Sequence, residues 1–254
     1  MDYSHRQLRE VFHLIFLGQL LKMSDPALYI LKGGTNLRFF FRSPRYSEDM
    51  DIDVLGGSVA TLKKNGYKIL DGEPIRRALR SYGIADLLPS DRDKAKHTPT
   101  TQRFRLQLVT ESNERLPTKV EFSRRSSEDR ATFQNIDPAV VFPYQQLTFS
   151  CQHYPAAAAV TQKLEALANR GQAQARDVFD LYILHLGGHD LSSAGKLGSE
   201  SRERALEQLF SLDFDDYCGQ VLAFLEEEAL NRFGACENWE EIHEFALQLL
   251  EAGI

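Results

Sequence analysis

The segment DMDIDV, residues 49–54, constrains the fold more than any other, because its acidic and apolar residues alternate without exception. Successive side chains of an extended chain point to opposite faces. Asp49, Asp51 and Asp53 therefore share one face of a strand, and Met50, Ile52 and Val54 the other. Aspartates two residues apart carry their carboxylates on the same side, about 7 Å apart along the backbone. Unpaired, they repel one another, and burial raises their pKa values. A divalent cation removes the conflict, and magnesium prefers carboxylate oxygens together with substrate phosphates.

The residues upstream suit such a ligand. ALYILKGG reads as a short buried strand running into a glycine turn, and TNLRFFFRS as a helix with Thr35 near its N-terminal cap. Gly33, Gly34 and Thr35 then offer exposed amides and a helix N-terminus, which favour a triphosphate. Lys32, Arg42 and Arg45 add positive charge nearby. Two familiar motifs fail. A P-loop places lysine after its glycines, whereas Lys32 precedes them. An EF-hand needs glycine where Val54 stands and glutamate where Ala60 stands. The competing structural reading is an edge strand whose charges discourage aggregation; the adjoining glycine turn favours the metal site.

The rest of the chain falls into two parts. HRQLREVFHLIFLGQLLKM has apolar residues at helical spacing and should end before Asp25-Pro26. EPIRRALRS reads as a helix, PSDRDKAKHTP as a charged loop, and QRFRLQLVT and PTKVEFS as strands separated by a turn. From Pro155 onward helical periodicity takes over, with AAAAVTQKLEALANR, ARDVFDLYILHL and three further helices between Glu200 and Leu250. Strands with interspersed helices followed by a helical region make an α+β protein, divided here into residues 1–150 and 151–254.

Charge follows the same division. Residues 1–130 hold 23 Lys and Arg against 17 Asp and Glu, and residues 131–254 hold 7 against 19, within a net charge of −6. The first part can attract phosphates, while the second repels them and suits a basic partner or is simply a set of solvated helix faces. Three widely spaced cysteines, Cys151, Cys218 and Cys236, make neither a disulfide framework nor a zinc motif. No signal peptide and no membrane-length apolar run is visible, so a cytoplasmic protein with no membrane partner is expected.

LKGGTNLRFF followed by RYSEDMDID resembles the first motif of the AbiEii/AbiGii toxin family, a branch of the polymerase-beta-like nucleotidyltransferase superfamily. The matching positions are Lys32, Gly33, Gly34, Thr35, Arg45, Ser47, Asp49 and Asp51. The resemblance implies that Asp49 and Asp51 are catalytic metal ligands, with Asp53 an extra carboxylate and Ser47 beside the phosphate site. It selects that pair from the three aspartates that alternation leaves equal. A second stretch, KLEALANRGQAQARDVFDLYIL, matches at Lys163, Arg170, Arg176, Asp177, Asp180 and Leu181. By resemblance Lys163 contacts nucleotide phosphates, Asp177 lies in the active site, and Arg176 belongs to the nucleotide-binding set. Lys163, Arg170 and Asp177 recur every seven residues, so an unbroken helix would align them, but Gly171 interrupts it. The structural alternative is a pairing of Arg176 with Asp180 along a helix. The superfamily often adds a third carboxylate from a later strand; Glu121, which shares a face with Lys119 and Ser123, is the candidate metal ligand, or it pairs with a neighbouring cation.

Together these imply a polymerase-beta-like core, a mixed sheet flanked by helices, carrying the metal and triphosphate site in residues 1–150. The helical domain, residues 151–254, is expected to contribute Lys163 and Asp177. The activity implied is transfer of a nucleoside monophosphate from a nucleoside triphosphate to a hydroxyl, with Mg2+ or Mn2+ as cofactor and release of pyrophosphate. The resemblance suggests an RNA acceptor, the 3′ end of tRNA, and a toxin of a type IV-like toxin–antitoxin pair with a cognate antitoxin. A small-molecule nucleotidyltransferase of the antibiotic-modifying kind, and a catalytically silent nucleotide-binding protein, are the alternatives. Arg76, Arg77 and Arg80, with Lys63, Lys64 and Lys68, form a basic region interleaved with Tyr67 and Tyr82, able to guide RNA or simply to be solvated. His185 and His189 flank Gly187-Gly188 and read as a glycine-capped helix end rather than a zinc site.

Overall fold

The computed structural model describes residues 3–91, 97–124 and 131–253. The charged loop expected around residues 89–99 falls partly outside them. The chain forms two compact units: Met1–Asn36 with Ser47–Tyr154, and Leu37–Tyr46 with Pro155–Ile254.

The first unit is a seven-stranded mixed sheet with helices. Helix α1 (His5–Met23) opens with a reciprocal capping box, in which Ser4 and Gln7 satisfy each other's backbone amides. It stops before Pro26, as proline requires. Strand β1 (Tyr29–Lys32) runs directly into helix α2 (Gly33–Phe40). Strand β2 (Asp49–Val54) carries the alternating aspartates. Then come α3 (Val59–Leu70), α4 (Glu73–Arg80), β3 (Ile84–Pro89), β4 (Thr101–Thr110) and β5 (Arg115–Ser123). The unit ends with β6 (Thr132–Asn135), α5 (Pro138–Val141) and β7 (Ser150–His153). The strand order is β3-β4-β5-β2-β1-β7-β6. The β2–β5 and β1–β7 pairs are parallel and the others antiparallel.

Burial shows why the sheet is two-faced. On β4 each even-numbered residue from Gln102 to Thr110 is buried and no odd-numbered one is. The even face joins a core with α1, in which Phe122 packs against Phe16 and Phe104. Helix α3 is hidden in the sequence because Gly66 interrupts its apolar pattern. A Cβ there would lie 2.4 Å from Phe104 Cζ, so only glycine lets the helix approach the sheet.

In the second unit, α6 (Ala156–Asn169) and α7 (Ala175–Leu186) share a core with α8 (Ser199–Phe210), α9 (Phe214–Gln220), α10 (Glu227–Phe233) and α11 (Cys236–Glu251). Four α-helices thus follow Gly198, where periodicity predicts three. The seven-residue α9 and α10 each bury one side chain, Tyr217 and Phe233, too few to show a period. Tyr217 stacks on Trp239 at 5.0 Å and donates to the Phe233 carbonyl. Helix α7 ends at the Gly187 cap, followed by Gly188 at φ +75°. His185 stacks on Phe245 and His189 meets the edge of Phe41. Among the described residues no helix is long and apolar enough to cross a membrane.

Candidate active site

The acidic face of β2 is organised by the junction of β1 with α2. Gly33 adopts φ +69°, a region that costs an L-residue about 1–2 kcal/mol. A Cβ on it would lie 3.3 Å from Asp51 Oδ2, so the glycine backbone abuts that carboxylate. The helix begins at Gly33 itself, so Thr35 sits inside its first turn rather than capping it. Thr35 Oγ1 instead donates to the Asp49 carbonyl at 2.9 Å, and Ser47 Oγ donates to the same oxygen at 2.7 Å. Two matched hydroxyls thereby pin the start of β2 and fix where Asp49 stands.

Strand register assembles the charges. Lys32, Asp51, Glu121 and Arg103 are successive partners across β1, β2, β5 and β4. The neighbouring row is Asp49, Lys119 and Arg105. Directly paired residues share a face, so all seven belong to one surface. Lys119 Nζ lies 2.7 Å from Asp49 Oδ2. Glu121 accepts a hydrogen bond from Arg103 Nε. Asp53 is buried between Lys32 and Tyr154, whose hydroxyl donates to it at 2.8 Å. Asp51 has no such counter-ion among the described residues. Burial, reinforced by Glu121 and Asp49 and opposed by Lys119 and Lys32, raises its pKa above the ordinary aspartate value.

The donor set on this face can be compared with what a cation needs. Among the described residues no three His, Cys, Asp or Glu side chains converge as a finished metal cluster. Two carboxylates from one strand face are nonetheless the donor type a hard cation takes, the remaining positions belonging to phosphate and water. The uncompensated Asp51 charge beside Asp49 fits that group. Asp53 is engaged by its own partners, Tyr154 and Lys32, the lysine that precedes the glycine turn.

The second matched stretch builds a charge cluster within the helical unit. Lys163 Nζ is 2.8 Å from Asp177 Oδ1 and 2.6 Å from Asp180 Oδ2. Arg170 Nε adds a contact of 2.7 Å to Asp177 Oδ2. Arg45 reaches Asp180 through Nη2 at 2.9 Å. Both aspartates are fully buried. Burial works to raise the Asp177 pKa but is outweighed by Lys163 and Arg170, so its carboxyl stays below the ordinary value. The helix does break after Asn169, and packing of α6 against α7 restores the alignment that an unbroken helix would have given. Asp180 pairs with Arg45 and Lys163, not with Arg176. Arg45, which the sequence marks only as a motif arginine adding positive charge, is the member of this cluster whose task the motif does not reveal.

A strand–glycine–helix junction facing paired aspartates, on a mixed sheet with flanking helices, defines the chain as a nucleotidyltransferase. The chain belongs to the family described as nucleotidyl transferase AbiEii toxin, type IV toxin–antitoxin system, whose model matches residues 15–239. Among solved structures it is similar to MenT4, the nucleotidyltransferase toxin Rv2826c of Mycobacterium tuberculosis H37Rv, at TM-score 0.59 and 16% identity, covering 97% of this chain and 84% of that one. It is also similar to JHP933 from Helicobacter pylori, at TM-score 0.51 and 19% identity over 98% of this chain and 93% of that one. At such identities the likeness concerns the fold. No curated protein matched the sequence. Nucleotidyltransferases of this family generally use a divalent metal, and membership implies a nucleoside triphosphate substrate and an antitoxin partner.

Proposed function

We propose that this protein transfers a nucleoside monophosphate from a nucleoside triphosphate to a hydroxyl of RNA, the 3′ end of tRNA, as the toxin of its pair in the cytoplasm. The observation that carries the reading is Asp51, a carboxylate without a counter-ion among the described residues, set beside Asp49 against the left-handed Gly33. Asp49 and Asp51, with Glu121 in register beside Asp51, would hold magnesium or manganese, which would supply charge neutralisation of the triphosphate and activation of the acceptor hydroxyl. Gly33, Gly34 and Thr35 present backbone at the start of α2, where the amides and the helix dipole favour phosphate. Thr35 and Ser47 hold the Asp49 backbone, so the carboxylates keep their spacing while the triphosphate binds. Lys119 balances the Asp49 charge until a ligand arrives. Rate enhancement on this reading comes from positioning and charge neutralisation, with no covalent enzyme intermediate.

The family resemblance assigns Lys163 to phosphate contact, Arg176 to the nucleotide and Asp177 to the active site, and we keep those assignments as part of the proposal. Lys163→Gln, assayed for transfer and for melting temperature, separates that role from the ion pairs to Asp177 and Asp180. The experiment for the whole reading incubates the protein with total tRNA, each labelled triphosphate in turn, and magnesium. Labelled RNA from the wild type, and none from folded Asp49→Ala or Asp51→Ala, is expected. Full activity in either variant overturns the assigned site. Label on a small-molecule hydroxyl but never on RNA overturns the acceptor, and no magnesium-dependent triphosphate binding would identify a silent protein.

A further inference from the structure

Once the ion pairs of the acidic face are made, its charges do not cancel. Asp49, Asp53 and Glu121 each have a cation, in Lys119, Lys32 and Arg103. Asp51 remains as an anion. Two arginines remain as cations: Arg105 on β4 and Arg115 on β5, both exposed and neither ion-paired to a described residue. Both lie on the same face as the aspartates. Arg105 is the register partner of Lys119, itself the partner of Asp49, and Arg115 precedes Lys119 by four residues on β5. Strand spacing puts Arg105 two strands, or about 10 Å, from Asp49, and Arg115 about 13 Å from Lys119 along β5. The positive excess thus begins at the carboxylates and runs outward along one hairpin. The residues between, Pro117 and Gln107, are uncharged.

We propose that Arg105 and Arg115 are the track for the sugar-phosphate backbone of a polynucleotide acceptor, holding the nucleotides that precede the reacting hydroxyl. This rests on the transfer reading above and adds what selects the acceptor. A triphosphate has its charges within a few ångströms of the metal site, so it does not need cations two strands away. A small-molecule acceptor has no phosphates to put there. A polynucleotide has one for every residue, and exposed guanidiniums bind phosphate through paired N–H donors without reading sequence. Arg103, tied to Glu121, is the inner end of the same line.

The test uses the full-length protein with Arg105→Ala, Arg115→Ala and the double variant, against deproteinised total RNA and labelled triphosphate. Because both side chains are exposed, the melting temperature should stay within about 1–2 °C of wild type. The double variant should raise the KM for RNA about ten-fold. It should also reduce the slope of log affinity against log salt by about 1.4, two phosphate contacts at about 0.7 each for a single strand. Affinity for a non-hydrolysable triphosphate, measured by calorimetry, should not change. If wild type labels RNA and the double variant keeps the same KM and salt slope, the track is overturned while the transfer reading stands. If wild type labels no RNA at all, the transfer reading itself has failed. Weakened triphosphate binding in the double variant would place these arginines on the nucleotide instead and would equally overturn the acceptor assignment.

Discussion

Arg45 grips Asp180 as a fork, with Nη2 3.1 Å from Oδ1 and 2.9 Å from Oδ2 and Nε 3.3 Å from Oδ1, although the two residues are 135 apart in sequence. Each comes from one of the two stretches that carry the family pattern. Their meeting gives one motif arginine a structural task. Asp180 is fully buried and also receives Lys163, so its charge is balanced only while both cations stay. Removing one partner of a buried pair leaves an uncompensated charge and costs about 3–5 kcal/mol. Arg45→Met should therefore lower the unfolding free energy by about that amount in urea titration. Pairing it with Asp180→Leu should recover much of the loss, because the stranded charge is then gone. A single-variant loss below about 1 kcal/mol would show that the fork contributes little.

The same pair shows what the sequence could and could not convey. The alternation at residues 49–54 is enough to place β2, its two faces and the acidic surface, because period-two patterning depends only on local geometry. The strands β4 and β5 are legible for the same reason. What local pattern cannot express is which distant charge answers which. Lys32 stands next to the glycine turn and adds positive charge there; its register partner is Asp51, while its ammonium reaches diagonally to Asp53. Glu121 reads as a metal ligand, and the pairing of β4 with β5 puts Arg103 opposite it. The four-residue strands β6 and β7 are too short for any period to stand out. Helix α3 is masked by Gly66, whose reason is the phenyl ring of the distant Phe104.

Gly33 permits a direct check of the junction. Its φ of +69° and the Asp51 oxygen, which would stand 3.3 Å from an added methyl, act together against any side chain. Gly33→Ala should cost about 1–2 kcal/mol from the left-handed conformation alone. It should also displace Asp51, so transfer should fall by more than the loss of folded protein explains. Thermal melts together with kcat at saturating substrates separate the two effects. Wild-type activity in a folded Gly33→Ala protein would show that the close approach to Asp51 has no part in catalysis.

Acid sensitivity should arise from buried histidines. His13 is buried beside Thr118, and desolvation, outweighing the attraction of Asp49, lowers its pKa from 6.5 to about 4. His153, hydrogen-bonded through Nδ1 within the Asn36 and Tyr154 network, is likewise lowered to about 4 by burial. Between about pH 6.5 and 4 the unfolded chain binds these protons and the folded chain does not. Stability is therefore fully present above about pH 6.5 and is lost as pH falls through that window, at up to about 1.4 kcal/mol per pH unit for each proton. His13→Gln should make the urea-unfolding free energy less steep in pH there, whatever its effect at neutral pH. An unchanged slope would mean that His13 already titrates normally in the folded protein.

Asp51 should reveal itself through opposite effects on stability and activity. Its carboxylate is desolvated, lacks a counter-ion among the described residues and stands near Asp49 and Glu121, so in the ligand-free protein the ionised form is a strain on the fold. Asp51→Asn keeps the shape and removes the charge. The variant should melt at or above the wild-type temperature at neutral pH without ligands. It should lose at least about 10²-fold in kcat, the scale on which one preorganised charge-stabilising group acts. Magnesium with a non-hydrolysable triphosphate should raise the melting temperature of the wild type by mass action and leave Asp51→Asn nearly unmoved. Lys119→Met gives the converse, since it strips Asp49 of its partner and should lower ligand-free stability. A carboxylate kept where it destabilises the empty protein, and needed only when cation and triphosphate arrive, is what a binding site requires of its charges; a surface aspartate would show neither effect.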